Sequence, residues 1–459
     1  MARPTPLSGF PEWLPSQRII EQHMLATIQE VFELHGFSGI ETRAVEPLEQ
    51  LLRKGETSKE VYVLQRLQAA DDAPHTAADK ALGLHFDLTV PFARYVLEHS
   101  GRLNFPFKRY QIQKVWRGER PQDGRFREFY QADIDVVGQG ELPYHYEVEL
   151  PLVMARALLA LAPYGVPSFT IYVNNRRLAE GFYRGIGLTH IEEILRSIDK
   201  IDKIGPEKVA DLLVADAGAT AEQAHLCLEL AAIHGSDDTV IDTISELAHR
   251  EGVNHPLFDQ GLTELRELLA AAHVRAPGLV EANLKIARGL DYYTGSVYEC
   301  VLHGHEDLGS ICSGGRYDTL ASDGKNTYPG VGLSIGVSRL VSRLFAHNLV
   351  EVTRETPTAV LVAVNDEADR HASTVVADQL RARKVSADVA PSAAKFGKQI
   401  KYADKRGIPF VWFPPTQAQP QHTVKDIRTG EQHEANPDTW LPPAGDLHPT
   451  TQPVAAREQ

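Results

Sequence analysis

Apolar residues recur with two different periods along this chain, and the switches between them mark out its parts. From Ser16 to His35, Ile20, Met24, Ile28 and Val31 follow the i, i+4, i+8, i+11 spacing of one helix face. Pro15 and Ser16 suit the start of that helix and Gly36 its stop. Phe37 to Glu46 is richer in strand formers and ends at Pro47. Phe107–Trp116 and Glu128–Val137 read as two strands. The segment between them, Gly118 to Phe126, carries Gly118, Pro121 and Gly124, so a β-hairpin with a long loop is the simplest account. From about Asn174 to Pro277 the spacing turns helical, as at Val209, Leu212, Leu213 and Leu226 to Leu230, which predicts an inserted helical module. Strand-and-glycine patterns resume at Leu284 and run to Val337, followed by a helix with Leu340, Val341 and Leu344.

Beyond a linker at Glu351 to Pro357, a strand (Thr358–Ala363), a helix (His371–Arg383) and a strand (Phe410–Phe413) alternate as in a small separate α/β domain. Gln65 to Leu82, with its Ala-Ala-Asp-Asp-Ala-Pro run, predicts a mobile surface loop. The Pro-, Thr-, Gln- and Ala-rich end predicts a frayed tail. The expected division is residues 1–350 with the helical module at 174–277, then 357–441, then a tail at 442–459.

Composition narrows the function classes. At 459 residues and 43% hydrophobic, the chain is long enough for two or three domains with full cores. Its formal charge of −14 means that any site for a polyanion is a local basic patch on an acidic protein. Cys227, Cys300 and Cys312 are odd in number and far apart, which predicts neither a disulfide framework nor a CxxC metal site and fits a reducing compartment. The 19 histidines show no HExxH and no paired spacing, so no metal-ligating residue is assigned. No apolar run reaches 18 residues, and the start, broken by Pro4, Pro6 and Pro11, lacks an apolar signal core. A soluble cytoplasmic protein, with no membrane partner, is the expectation.

The Glu128–Val137 strand carries the most informative local pattern. Tyr130, Ala132, Ile134 and Val136 take one face, suited to a core, and Gln131, Asp133 and Asp135 the other. That second face is either the wet side of an antiparallel sheet or the lining of a polar site, where a carboxylate holds an ammonium or an imidazole N–H. Arg117, Arg120, Arg125 and Arg127 crowd the preceding turn; they form either a solvated charged loop or a clamp for a nucleotide phosphate or an RNA end. Ala287-Arg-Gly-Leu-Asp-Tyr-Tyr-Thr-Gly and Cys312-Ser-Gly-Gly-Arg-Tyr-Asp set arginine and tyrosine beside glycines that shape turns or admit a ligand. Neither is a P-loop or a GxGxxG fingerprint. Gly330, Gly332 and Gly336 fall on one strand face before Arg339, and a glycine-bearing strand accepts a flat ring against its backbone. Lys398, Lys401 and Lys405 recur at i, i+3, i+7 and give one basic helix face.

These pieces, in this order, resemble a class II aminoacyl-tRNA synthetase, and within that class the histidyl-tRNA synthetase family, over about Pro11 to Pro437. The most specific part is Arg288-Gly-Leu-Asp-Tyr-Tyr-Thr-Gly followed by Ser313-Gly-Gly-Arg-Tyr-Asp. The resemblance implies an α+β fold: a class II antiparallel sheet flanked by helices, an inserted helical module and a C-terminal α/β anticodon-binding domain. It implies a homodimer through Gly36 to Pro47. Arg288, Arg117 and Gln131 are implied as catalytic. Asp87, Thr89, Gln131, Asp135, Tyr292, Tyr293 and Tyr317 are implied to bind histidine, with Asp135 and Tyr293 reading the imidazole. Arg117, Glu119, Arg125 and Arg339 are implied to bind ATP. Arg120, Lys398, Lys401 and Lys405 are implied to contact tRNA(His), and Mg²⁺ is the expected cofactor. Two positions depart from the family pattern: His85 stands where an arginine commonly precedes Phe/Tyr-Asp-Leu-Thr, and Ser338 replaces a glutamate before Arg339.

The implied reaction is activation of histidine by ATP to an adenylate and pyrophosphate, then transfer to the tRNA 3′ end. The alternative is a non-catalytic, histidine-sensing regulatory paralog. Such proteins lose the catalytic arginines and the anticodon domain, whereas Arg117, Arg288, Arg339 and the basic C-terminal region are present here.

Overall fold

The hairpin forms with the ends that the alternation predicts. In the computed structural model, which describes residues 5–52, 60–65, 81–287 and 292–454, strands β1 (Phe107–Trp116) and β2 (Glu128–Val137) pair antiparallel from Phe107 opposite Val137 to Trp116 opposite Glu128. Strands β3 (Phe169–Asn175), β4 (Ser296–Leu302), β5 (Cys312–Tyr317) and β6 (Gly330–Gly336) extend the sheet. Its order is Ser38–Gly39, β1, β2, β6, β5, β4, β3, Val280–Asn283, His234–Gly235, and every neighbouring pair from β1 to β3 is antiparallel. The two parallel pairings lie outside that run, at Ser38–Gly39 with β1 and at β3 with Val280–Asn283.

Helices cover the sheet because their apolar positions repeat on one side. In helix α1 (Pro15–Leu34), Ile20, Met24, Ile28 and Phe32 are buried. The fourth buried position is thus Phe32, whose ring lies 6.1 Å from that of Tyr110, and the expected Val31 is only partly covered. Helix α2 (Thr89–His99) buries Val90, Phe92, Ala93 and Val96, and helix α3 (His145–Leu159) packs against β2 and β6. From Arg176 to Arg275 the chain is almost wholly helical, including α4 (Arg176–Gly185) and α5 (Pro256–Arg275), with the two-residue strand His234–Gly235 between. Helix α6 (Val337–Ala346) follows β6 directly.

By contacts the chain divides into two compact units. One comprises Met1–Pro11, Leu25–Ala162 and Val166–Arg343, and the other Glu12–Met24, Pro163–Gly165 and Leu344–Gln459. The second unit holds a five-stranded sheet in the order Ala387–Val389, Val360–Val362, Phe410–Phe413, Thr423–Asp426, Gln432–Glu434. Val376, Ala377 and Leu380 of the Arg370–Ala382 helix pack with Trp412 on one side of it. Ala403 of helix α7 (Phe396–Lys405) packs with Val411 and Phe413 on the other.

Two expectations change. Residues 442–454 do not fray: Leu447 packs on the Trp412 cluster, and Thr451–Pro453 pairs antiparallel with Val350–Val352, which overlaps the start of the stretch expected as linker. Backbone pairing holds this polar segment, which its composition does not announce; 455–459 lie outside the described residues. Most of the expected 65–82 loop also lies outside them, but Leu82–Leu84 is a strand between Val45–Pro47 and Val63–Leu64. Among the described residues no helix is long and apolar enough to cross a membrane.

Trp412 is fully buried in the second unit. Trp412→Ala should cost about 3–5 kcal/mol of that unit's stability, read as a lower urea midpoint by fluorescence and circular dichroism.

Candidate active site

The polar face of β2 is not wet. Gln131, Asp133 and Asp135 are 8%, 3% and 2% exposed, so the solvated-face reading fails. Burial without ruin requires partners, and the flanking strands supply them. Arg109, Gln111 and Gln113 of β1 stand opposite Asp135, Asp133 and Gln131. On the other side stand Gly332, Ser334 and Gly336 of β6. Three cross-strand rows therefore form one buried polar stripe, running from Gln131 to Asp135 over about 13 Å at ~3.3 Å per residue.

At the Gln131 end lies a cleft of about 330 Å³. It gathers Arg117, Glu119, Arg125, Gln131 and Arg339, all expected there, together with Phe129, Glu299, Ser313 and Ser334. Arg117 donates from Nε to the Phe86 carbonyl at 3.0 Å and lies 5.2 Å over the Phe129 ring. Glu119 stands 3.9 Å from Arg117 and 3.8 Å from Arg125, distances at which exposed pairs hold loosely. Arg339 is fixed more firmly, donating to the carbonyls of Ser310, at 2.7 Å, and Leu308. The turn before β2 rests on it: Gly124 has φ +66°, and a side chain there would meet Leu308 and, at 3.1 Å, Cγ of Arg339. Gln131 donates from Nε2 to Ser334 Oγ at 2.7 Å, while its buried Oε1 has no hydrogen-bond partner among the described residues. The two departures are structural. Ser338 Oγ accepts the Tyr130 N–H at 2.9 Å, tying α6 to β2. His85 is fully buried against Trp116 and donates from Nε2 to the Lys114 carbonyl at 2.7 Å.

The glycine face of β6 divides. A Cβ at Gly336 would have nothing nearer than 3.6 Å, so space for a flat group remains there. Gly332 and Gly330 are covered instead, by the Asp135 carboxylate and the Tyr317 ring. Glycine at 332 is what lets a carboxylate lie across a neighbouring strand.

At the far end of the stripe Asp135 accepts from the Tyr317 hydroxyl at 2.7 Å and pairs with Arg109 at 2.6 Å. Arg109 is completely buried and does not stand out in the sequence, because only the β1–β2 register brings it opposite Asp135. Asp87, buried at the start of α2, accepts the Val90 N–H at 3.1 Å, and Thr89 is the first residue of that helix. Tyr293 packs its ring on Gly315, whose Cβ would lie 2.9 Å from the ring, and lies 4.2 Å from the Tyr292 ring. Burial, then Tyr292, Asp135 and Asp87, hold the Tyr293 phenol well above its ordinary range, so it stays a donor. Burial also raises the Asp133 carboxyl to about 7, helped by Asp135 and opposed by Arg109. Arg288 lies outside the described residues.

The strand that follows Tyr293 is anchored by ions, of which Arg316 and Asp318 belong to the Cys312–Asp318 motif and Glu147 does not stand out in the sequence. Glu147 of α3 pairs with Arg316 at 2.7 Å and accepts the Ser296 N–H at 2.9 Å. Arg316 pairs with Asp318 at 2.9 Å, and Asp318 accepts the Thr294 hydroxyl at 2.6 Å. The remaining expected residues are elsewhere. Arg120 is exposed in the turn, and Lys398, Lys401 and Lys405 are exposed on α7, opposite buried Gln399 and Ala403. They belong to a surface, not to the cleft.

Comparison with known proteins identifies the family. The family model described as histidyl-tRNA synthetase matches residues 9–340, and one described as anticodon binding domain matches residues 358–439. A histidine-tRNA ligase of Micrococcus luteus is 58% identical over 458 residues, covering 98% of each chain. One of Bifidobacterium animalis is 57% identical over 450 residues, covering 96% of this chain and 97% of its own. The crystal structure of histidyl-tRNA synthetase from Nostoc superposes with TM-score 0.81 at 36% identity, over 95% of this chain and 98% of its own.

Asp133 offers a test of the buried stripe. A carboxyl whose folded pKa of about 7 exceeds its ordinary 3.8 contributes stability at low pH that is lost as pH rises through that interval. The melting temperature of the wild type, relative to Asp133→Asn, should therefore fall between about pH 4 and about pH 7 and run parallel above. Parallel curves throughout would mean that Asp133 is ionised in the folded protein.

Proposed function

Because the chain belongs to the histidyl-tRNA synthetase family, we propose that the cleft and the adjoining carboxylates are its ATP and histidine sites. The protein is an ATP-dependent ligase that joins histidine to tRNA. The observation that carries the site assignment is the single strand face on which Gln131 opens to the cleft while Asp135 lies at the far end. A small amino acid laid along that face has its carboxylate near the arginines and its side chain near Asp135.

In this reading Asp87 and Thr89 take the α-amino group, with Tyr317 beside it. Asp135 and Tyr293 take the two imidazole nitrogens, flanked by Tyr292. A site that hydrogen-bonds both nitrogens leaves buried groups unpaired when another side chain enters, which rejects it strongly. Gln131 orients the histidine carboxylate. One carboxylate oxygen attacks the α-phosphorus of ATP in line. The new P–O bond forms as the bond to pyrophosphate breaks, and Arg117 and Arg288 stabilise the charge gathered on the α-phosphoryl oxygens. Arg125 and Arg339 hold the outer phosphates, and the space over Gly336 admits the adenine, against which Arg339 stacks.

Among the described residues no cluster of three or more metal-ligating groups occurs. Glu119 and Glu299 nevertheless both face the cleft, and Mg²⁺ ordinarily takes one or two carboxylates plus substrate phosphates. These two would hold Mg²⁺, which supplies neutralisation of the leaving pyrophosphate.

In the second step a hydroxyl of the tRNA 3′-terminal ribose attacks the adenylate carbonyl and AMP leaves, with Arg120 contacting the acceptor end. Residues 1–350 act as the catalytic domain, with 174–277 as its helical insertion, and residues 357–441 read the anticodon through Lys398, Lys401 and Lys405. The family resemblance further supports a homodimer working in the cytoplasm.

Pyrophosphate exchange with each of the twenty amino acids tests the first step. Histidine alone should support exchange, and Arg288→Ala or Arg117→Ala should lower it by roughly 10²–10³-fold. Absence of exchange from folded protein would favour the regulatory paralog. Changing Lys398, Lys401 and Lys405 together to alanine should raise the KM for tRNA and flatten its salt dependence. The same triple variant should leave histidine-dependent exchange unchanged.

A further inference from the structure

Arg109 is a buried cation with one counter-ion. Its side chain is fully enclosed, its guanidinium lies 4.3 Å over the Phe92 ring, and its Nη2 stands 2.6 Å from Asp135 Oδ2. None of its three nitrogens has a hydrogen-bond acceptor among the described residues, so the Asp135 contact is an ion pair alone. An ion pair this dry is poor value as a fold stabiliser, since desolvation offsets most of the attraction. What it does provide is a fixed charge beside a carboxylate that would otherwise lose its own.

The groups facing Asp135 explain why that matters. Asp133 lies two residues along the same strand face, and Arg109 stands opposite on β1. Tyr317 donates from β5, Gly332 of β6 contributes no charge, and Tyr293 and Asp87 face the same region. Of these, Asp87 is acidic, Asp133 is a carboxyl that burial raises to about 7, and both tyrosines are neutral donors. Among the described residues of the group Arg109 is the one cation. Without it, nothing else in that set opposes protonation of Asp135. With it, Asp135 accepts from the Tyr317 hydroxyl on Oδ1 and has the guanidinium ion-paired beside Oδ2. A carboxylate has about four lone-pair positions, so capacity for a further N–H remains.

We propose that Arg109 is a positioning residue for amino-acid selection: it fixes Asp135 as an anion, and therefore as an acceptor for an imidazole N–H of the substrate. The proposal rests on the assignment of Asp135 to the histidine side chain. It separates the role of Arg109 from that of the arginines in the cleft, which face phosphate. It also predicts a signature that loss of packing does not produce. Neutralising Arg109 lets Asp135 protonate, so the damage to histidine binding grows as pH falls.

The experiment is the KM for histidine in pyrophosphate exchange, from about pH 6 to about pH 8.5, for wild type, Arg109→Met, Arg109→Gln and Arg109→Lys. The ratio of variant to wild-type KM at each pH cancels the substrate's own titration, which lies near 6.5. For the two neutral variants the ratio should rise at least about tenfold between the alkaline and acid ends, as a shift of one pKa unit or more requires. The KM for ATP should stay within about twofold, because Arg109 does not face the cleft. Arg109→Lys keeps the charge and should show a flat ratio. A flat ratio in a folded neutral variant, a parallel rise in the KM for ATP, or an acid-dependent ratio in Arg109→Lys would overturn the proposal. If one neutral variant fails to fold, the other carries the comparison; if both fail, the Arg109→Lys ratio decides alone. Wild-type exchange is the internal reference: its absence would overturn the site assignment itself, whereas a flat ratio beside active wild type overturns only the role of Arg109.

Discussion

A sheet that buries carboxylates on one of its faces must find their partners on the strands alongside, and this requirement organises the catalytic unit. Asp135, Asp133 and Gln131 are tolerated because β1 brings Arg109, Gln111 and Gln113 opposite them and β6 brings Gly332, Ser334 and Gly336. The arrangement is intolerant of error. A slip of one residue in either pairing would send the carboxylates into the apolar side and Ile134 and Val136 toward the ligand. The tight hairpin pairing, the Ser338 link from α6 to β2 and the glycine at 332 all serve to hold that register.

Much of this was legible in the sequence where the signal is local. Alternation in Glu128–Val137 fixed which residues share a face, and the two strand boundaries follow from Gly118, Pro121 and Gly124 between them. Arg117, Arg125 and Arg339 stand out in the sequence by type and position and Glu119 through the family resemblance, and all four line one cavity. The misses are long-range. Nothing near Arg109 in sequence says that it is buried, because its partner is supplied across the hairpin. Glu147 looks like any acid in an amphipathic helix until Arg316 arrives from a distant strand. Leucine-poor residues 451–453 gave no strand signal, since edge pairing with Val350–Val352 draws on backbone and not on side-chain pattern.

The two ends of the polar stripe use charge in opposite ways. In the cleft, arginines outnumber the carboxylates and the pairs are long, so a polyanion can replace Glu119 as their partner. Around Asp135 the carboxylates outnumber the cation, and the pairs are short and dry. The stripe is therefore polarised along its length, positive at the cleft and negative at Asp135. The acidic total of the chain is no obstacle to binding polyanions, because the basic residues involved are grouped in the cleft and along α7.

The β2–β6 pairing has a consequence for how the protein is made. The hairpin leaves the ribosome early, carrying carboxylates that have only half of their partners. The strand that completes the stripe is synthesised after the whole helical region has followed, and pairings so distant in sequence close slowly. A polypeptide cut short between Val137 and Gly330 therefore has the arginine loop and the hairpin but lacks the strand that completes the polar stripe. The topology thus makes the buried polar stripe one of the last features of this unit to be completed as the chain is synthesised.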